Sequence, residues 1–241
     1  MRNIKNAKHL IYLILAFTIT INSYSQTAHE YVEMGEDKRD LEDYIGAIAD
    51  YSKAIELDSN DAMTYVMRGN ARGMLQDYRG ASADYSKAIE IDPNFTIAYA
   101  GRGVIKVYYE DYIDAIADFN KAINLDPNFA DAYEQRGYAK KHLFDYRGAI
   151  ADYNKAIELG LNDAITYAMR GGAKGILKDY RGAIADFNKA IELDPNDAAS
   201  YYYRGLSKGA LGDIDGGCLD LSKAGELGFV KAYDSIRELC Q

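Results

Sequence analysis

The sequence predicts an all-α solenoid, a stack of six helix-turn-helix units with a C-terminal capping helix. Three observations predict it: a 34-residue pattern recurs along the chain, its apolar and small residues repeat at helical spacing, and one such unit is too small to bury both faces of its helix pair. With 48% hydrophobic and 27% charged residues, the 241-residue chain has a globular composition, which excludes a wholly disordered protein.

The first 25 residues are predicted to be a secretory signal peptide. Arg2, Lys5 and Lys8 precede an apolar run over 10–21, and no acidic residue occurs in this segment. A membrane-spanning helix needs about 20 apolar residues, so we expect cleavage after Ser25 rather than an uncleaved anchor. Cleavage would leave 25 basic and 37 acidic residues in a soluble protein of the periplasm or the cell exterior, both oxidising compartments.

The repeated unit is clearest at a small residue that recurs every 34 positions. This residue is Ala47, Ala81, Ala115, Ala149, Ala183 and then Gly217. The units of the repeat domain, 26–231, are therefore 28–61, 62–95, 96–129, 130–163, 164–197 and 198–231. Each is expected to hold two antiparallel helices, and a capping helix over 230–241 follows the last unit. An aspartate before each second helix is predicted to cap it. The capping residues are Asp43, Asp77, Asp111, Asp145, Asp179 and Asp213.

Small residues predict where the two helices of a unit meet. A glycine in mid-helix costs about 1 kcal/mol, so a glycine at the same place in every first helix indicates a close approach of helix axes. These glycines are Gly35, Gly69, Gly103, Gly137, Gly171 and Gly205. Three units end in Asp-Pro-Asn, where proline stops the helix because it has no N–H to donate.

The motifs of the unit resemble the tetratricopeptide repeat family over residues 28–231. They are the 34-residue period, Tyr-x-x-x-Gly from Tyr99 to Gly103, Asp-Tyr-x-x-Ala from Asp111 to Ala115, and the closing Asp-Pro-Asn. The resemblance implies a right-handed superhelix whose first helices line a concave groove that binds peptides or protein surfaces. It implies no reaction and no cofactor.

By this resemblance, the groove is lined by unit positions 2, 5, 9, 12 and 13, which form an unusually apolar wall. Such a surface is typical of a protein-binding site. The candidate partner-binding residues are Met63, Val66, Asn70, Met74, Ile97, Val104, Tyr108, Tyr138, Ile165, Ile176, Tyr202 and Leu206. The Lys-Asn carboxylate clamp with which some family members hold acidic chaperone tails is missing, since only Asn70 matches it.

Arginine and aspartate recur at fixed positions and predict a structural ladder of ion pairs, because neither charge tolerates burial alone. The ladder residues are Asp50, Arg68, Asp84, Arg102, Asp118, Arg136, Asp152, Arg170, Asp186 and Arg204. Unit one has Met34 in place of the arginine, so we expect each aspartate to pair with the arginine of the next unit. Asp220 would then reach Lys231 or Arg237. The alternative is a basic stripe that binds an acidic ligand.

Two cysteines lie near the C-terminus, Cys218 in the last second helix and Cys240 in the final helix. An antiparallel hairpin centred on Gly228 places them face to face, which predicts a disulfide in an exported protein. The alternative is a pair of buried thiols.

No motif of the chain points to catalysis. The three histidines, His9, His29 and His142, are too scattered for a metal site or a catalytic triad, and the net charge of −9 disfavours nucleic acid. We therefore expect no enzyme, no metal, no cofactor and no membrane insertion after cleavage. The predicted function is an exported scaffold or adaptor that binds a segment of another exported or envelope protein in the groove. The alternatives are a self-associating structural envelope protein, which would be a homo-oligomer, and a carrier of an apolar small ligand.

Overall fold

The computed structural model describes residues 26–240, so the predicted signal peptide lies outside the described residues. This part of the chain forms thirteen α-helices and no β-strand. The helices are α1 (Ala28–Asp40), α2 (Tyr44–Leu57), α3 (Ala62–Met74), α4 (Tyr78–Ile91), α5 (Thr96–Tyr108), α6 (Tyr112–Leu125), α7 (Ala130–His142), α8 (Tyr146–Glu158), α9 (Ala164–Ile176), α10 (Tyr180–Leu193), α11 (Ala198–Ala210), α12 (Ile214–Glu226) and α13 (Ala232–Leu239).

The helices are arranged as a two-layered α-solenoid. Odd-numbered helices α1 to α11 are the first helices of the six units, and a three-residue turn joins each to an antiparallel second helix. Every helix packs on its neighbours in sequence, and from α3 onward each first helix also contacts the next first helix. The second helices do not pack on one another to the same extent. The first helices therefore form the inner, concave layer.

The predicted N-caps form in five of the six units. In unit one the Asp43 carboxylate accepts a hydrogen bond from the Gly46 N–H at 2.9 Å. A Cβ at Gly46 would lie 2.2 Å from that carboxylate, so this cap geometry requires glycine three residues into the helix. In unit three Asp114 stands at the glycine position, and Asp111 makes no capping bond. The predicted cap at Asp111 is therefore wrong.

The first-helix glycines allow the predicted close approach. A Cβ at Gly103 would lie 2.7 Å from the Phe119 ring, and one at Gly35 would lie 2.5 Å from the Tyr51 ring. These rings belong to the second helices, where they are fully buried. Glycine in the first helix thus makes room for an aromatic ring of the second, and this contact recurs along the core.

The ion pairs lie within units, so the prediction that they cross between units is wrong. Arg102 donates two hydrogen bonds to Asp118, from Nε at 2.9 Å and from Nη2 at 2.7 Å. Lys106, one helical turn beyond the arginine, contacts the same carboxylate at 2.8 Å. The other bidentate pairs are Arg68–Asp84, Arg136–Asp152, Arg170–Asp186 and Arg204–Asp220.

The aspartates of the first and last units are also paired within their own units. In unit one Lys38 pairs with Asp50, so Met34 leaves no aspartate stranded. Asp220 is held by Arg204 and by Lys208 rather than by the basic tail residues, and Arg237 pairs with Asp234 in its own helix. Each aspartate is therefore neutralised by the first helix of its own unit.

The arginines do link neighbouring units, but through neutral partners. The Nη1 of Arg102 donates to the Ser86 hydroxyl of the preceding unit at 3.3 Å, and Arg136 reaches the Asn120 side-chain oxygen at 2.7 Å. The serine or asparagine lies two residues after the ladder aspartate of its unit. One guanidinium thus joins its own second helix to that of the unit before.

The C-terminal helix α13 packs against α11 and α12 and covers the end of unit six. The structure joins Cys218 to Cys240 in a disulfide with a Cα–Cα distance of 5.9 Å. On the other side of the cap, the Phe229 ring stacks on Tyr202 with a centroid distance of 4.6 Å. The last unit is therefore closed both covalently and by packing.

Candidate binding groove

Two adjoining depressions open on the concave face of units three to six. The larger, the main pocket, has a volume of about 920 Å³ and lies along α7, α9 and α11. Its walls include Phe144, Ala168, Met169, Gly172, Ile176 and Leu206. The smaller, the side pocket, has a volume of about 470 Å³ and lies along α5, α7 and α9. Its walls include Val104, Tyr108, Glu134, Tyr138 and Tyr153. Ile165 and Met169 line both pockets, so the two form one continuous depression.

The floor of the main pocket is a row of small residues on α9. Ala164, Ala168, Gly172 and Gly175 recur at intervals of three or four positions and so share one face of the helix. A Cβ added at Gly172 would meet no atom within 4 Å. The backbone of α9 is thus open to close approach from the groove side.

Large apolar side chains stand around this floor. Ile165 and Ile176, at the two ends of α9, are 63% and 56% exposed, and Phe144 is 78% exposed. Phe144 has φ +64°, a left-handed conformation in which a bulky residue is strained. The equivalent residues of the other units are polar or glycine, so unit four alone has an aromatic ring at this middle position of the turn.

A cluster of three rings lies where the two pockets meet. The His142 ring stacks on Tyr112 at 4.8 Å between centroids and lies 4.5 Å from the Tyr138 ring. Burial, reinforced by the charge of Lys141, lowers the pKa of His142, so its imidazole is neutral at pH 7. The cluster therefore adds an uncharged aromatic surface to the depression.

Polar groups also line the depression. The Glu134 carboxylate accepts hydrogen bonds from the Thr166 hydroxyl at 2.8 Å and from the Gln135 amide at 3.2 Å. The Lys141 ammonium lies 3.1 Å from the Met169 sulfur, and burial lowers the pKa of this lysine. Asp194 and Asp197 line the main pocket. The depression therefore offers apolar contact, hydrogen bonding and charges of both signs, which is the chemistry of non-covalent recognition.

Six of the twelve candidate groove residues line the pockets. Val104, Tyr108 and Tyr138 line the side pocket, Ile176 and Leu206 line the main pocket, and Ile165 lines both. Four others lie on α3 and α5 outside both pockets. These are Met63, Met74 and Ile97, which are exposed, and Asn70, whose side-chain oxygen accepts a hydrogen bond from the Tyr85 hydroxyl at 2.7 Å.

The other two candidates are already occupied by contacts within the chain. Val66 is 2% exposed and packs in a core cluster with Ile105 of the next first helix, so it is not available to a partner. Tyr202 stacks on Phe229 of the cap, and its hydroxyl lies 3.2 Å from the Ser235 hydroxyl. The prediction that Val66 faces a partner is corrected because the neighbouring first helix covers unit position 5 here.

Several residues of the pockets were not among the twelve candidates, and two of them are Phe144 and Met169. Phe144 was detectable, because an aromatic residue replaces the polar or glycine residue found at that turn in the other units. Met169 occupies unit position 6, where the curvature of the solenoid turns the side chain into the groove. No sequence pattern of the chain reports that curvature.

Two features are absent from the described residues. Between residues 26 and 240, none of the helices combines the length and hydropathy that crossing a membrane requires. The same residues contain no cluster of three or more His, Cys, Asp or Glu side chains arranged to hold a metal ion.

Two family models match the chain. One, described as TPR repeat, matches residues 106–142 and 176–212, and the other, described as tetratricopeptide repeat, matches 63–95 and 130–160. Together these segments span more than half of the chain. Among curated protein sequences, none matches the chain significantly.

Several solved structures resemble the chain. YrrB, described as a TPR protein with an unusual peptide-binding site, is 25% identical with a TM-score of 0.70, over 78% of this chain and 97% of YrrB. A MamA crystal structure is 26% identical with a TM-score of 0.63, over 71% of this chain and 94% of MamA. The pilF protein of Pseudomonas aeruginosa is 16% identical with a TM-score of 0.77, over 88% and 97%, which shows the shared fold alone.

Proposed function

The chain belongs to the tetratricopeptide repeat family, whose members bind protein or peptide partners, and from this premise we propose that it is a scaffold that holds a largely apolar segment of a partner protein in its concave groove. The observation that carries the proposal is the continuous depression formed by the main and side pockets. A contiguous apolar surface of this kind on a globular chain generally marks a binding site.

Three features of the groove support this function. Ile165, Ile176 and Phe144 are exposed around it, and covering a large apolar side chain contributes about 1.5–3 kcal/mol. The small-residue floor on α9 lets the backbone of a bound segment approach closely. YrrB, which is similar over 78% of this chain, is itself described as having a peptide-binding site.

We further propose that the protein is exported and that its partner is another exported or envelope protein. Residues 1–25 have the basic, apolar and small-residue regions of a signal peptide, and disulfides such as Cys218–Cys240 persist in oxidising compartments. Cell fractionation followed by N-terminal sequencing tests this. An N-terminus at Gln26 in an envelope or extracellular fraction is expected, and an intact N-terminus in the cytoplasmic fraction would contradict export.

The groove is tested by partner capture from an envelope extract with two matched variants. Gly172 and Gly73 both lie in first helices where an added Cβ meets no atom within 4 Å, but only Gly172 is in a pocket. Leucine has a higher helix propensity than glycine, so neither Gly172→Leu nor Gly73→Leu is expected to impair folding. We expect Gly73→Leu to capture the same proteins as the parent and Gly172→Leu to lose them.

Two outcomes would contradict the proposal. Capture of the same proteins by the parent and both variants would place binding outside the groove. A mass measured by light scattering that grows with concentration, and that Gly172→Leu abolishes, would instead show that the groove serves self-association.

A further inference from the structure

The position of Lys141 bears on the kind of segment that the groove accepts. Its Nζ lies 3.1 Å from the sulfur of Met169, which lines both pockets, and 5.4 Å from the centre of the Tyr138 ring in the side pocket. Lys141 itself lines the main pocket. The ammonium group is therefore at the junction of the two pockets.

Within residues 26–240, Lys141 makes no ion pair, unlike the other half-buried lysines of the first helices. Its neighbour Lys140 contacts Asp152 at 2.7 Å, and Lys174 contacts Asp186 at the same distance. A thioether is a weak acceptor, and an unpaired charge in an apolar site is costly. The lowered pKa of Lys141 has the same cause, its burial. A carboxylate brought by a ligand would remove this cost.

We propose that the bound segment carries an internal aspartate or glutamate whose carboxylate pairs with Lys141, flanked on both sides by small or apolar residues. This inference rests on the proposed function of the groove. The acid is internal because the depression continues in both directions from Lys141, so a chain that ended there would leave one pocket empty. A second acid is disfavoured in either pocket, because Glu110 and Glu134 line the side pocket and Asp194 and Asp197 line the main pocket.

The test begins with a selection that does not assume a partner. A phage library of random 12-residue peptides is selected on the purified protein, and peptides are kept if Gly73→Leu retains them and Gly172→Leu does not. We expect these groove-binding peptides to share one Asp or Glu between apolar or small residues. Synthetic copies, acetylated and amidated at their ends, then carry either the acid or the matching amide, Asn or Gln.

Affinities of the acid and amide peptides are measured by fluorescence anisotropy. We expect the amide to bind the parent about tenfold more weakly than the acid, as for other close charge pairs at interfaces. Lys141→Met should bind both peptides alike. Lys87→Met is the control, because Lys87 pairs with Glu90 on the exposed side of α4, outside both pockets, and should keep the tenfold difference.

The alternative outcomes separate the two proposals. Groove-binding peptides without a shared acid, or equal affinities of acid and amide for the parent, would overturn the pairing with Lys141 and leave the scaffold function standing. A requirement for a free C-terminal carboxylate would overturn the internal acid. A library that yields no peptide blocked by Gly172→Leu would overturn both the pairing and the groove function.

Discussion

Single side chains determine whether the buried polar groups of this solenoid have hydrogen-bond partners. At one position of the second helix, unit two has Tyr85 bonded to Asn70, and units three and five have Phe119 and Phe187, which carry no hydroxyl. Tyr153 in unit four has a buried hydroxyl without a partner. Such a donor costs about 1–3 kcal/mol. The Tyr51 hydroxyl of unit one is buried without a partner among the described residues in the same way, although it lies in neither pocket.

The first prediction is that Tyr153→Phe stabilises the protein. Phenylalanine already fits this site in two other units, so removing the hydroxyl should raise the free energy of unfolding by about 1 kcal/mol. Tyr85→Phe, which leaves Asn70 without its donor, should lower it by about the same amount. Guanidinium unfolding curves measure both changes. A destabilised Tyr153→Phe would show that the hydroxyl has a structural partner.

The second prediction concerns Lys141 in the absence of ligand. Burial lowers its pKa in the folded protein, so the charged lysine disfavours folding at every pH below that lowered pKa. Lys141→Met should therefore raise the unfolding temperature at pH 7. The gain should shrink as the pH approaches about 10, where lysine becomes neutral in both states. Lys87→Met provides the baseline, and equal gains for the two variants at pH 7 would contradict the argument.

Sequence alone does not decide which arginine of the ion-pair ladder pairs with which aspartate. Its members were identifiable because arginine and aspartate recur every 34 residues, but Asp84 is 16 positions from Arg68 and 18 from Arg102. Both separations suit helix pairs, so spacing does not choose between them. The choice depends on Arg72, one turn beyond Arg68, which contacts the same carboxylate at 2.7 Å and draws it toward its own unit.

Whole helices were the most predictable level of the structure. Capping aspartates mark where second helices begin, and Asp-Pro-Asn marks where they end, because both act through local hydrogen bonding. The position of the pockets was not predictable in this way. They depend on how α5, α7, α9 and α11 converge, which is a property of several units together.

The third prediction belongs to the cap helix α13. The disulfide closes a segment with a sequence separation of 22, and a loop of this size contributes about 3 kcal/mol. In a repeat protein this loss is local, because each unit contacts only its neighbours. Reduction, or the Cys218→Ser, Cys240→Ser pair, should speed hydrogen exchange in α13 and in α12, which carries Cys218 and packs against α13. Exchange in α1 to α6 should stay unchanged, and a uniform increase along the chain would contradict local stabilisation.

At the scale of the molecule, the constant 34-residue register makes whole units interchangeable. In the protein without 62–95, Arg102 would donate to Ser52 instead of Ser86. In the protein without 164–197, Arg204 would donate to Asn154 instead of Asn188. Both deletions therefore restore the hydrogen bond between neighbouring units. Both shortened proteins should therefore fold, with unchanged helicity per residue and a modestly lower unfolding temperature.

Their binding should differ, because the pockets are confined to units three to six. The deletion of 62–95 keeps both pockets, so the groove-binding peptides should retain their affinity within about twofold, which is less than 0.5 kcal/mol. The deletion of 164–197 removes α9, and with it the small-residue floor and the two residues shared by the pockets, so binding should be lost. Circular dichroism and fluorescence anisotropy measure the two properties separately. Equal binding by both proteins would mean that the recognition surface is repeated along the solenoid, whereas loss in both would mean that it extends into units one and two.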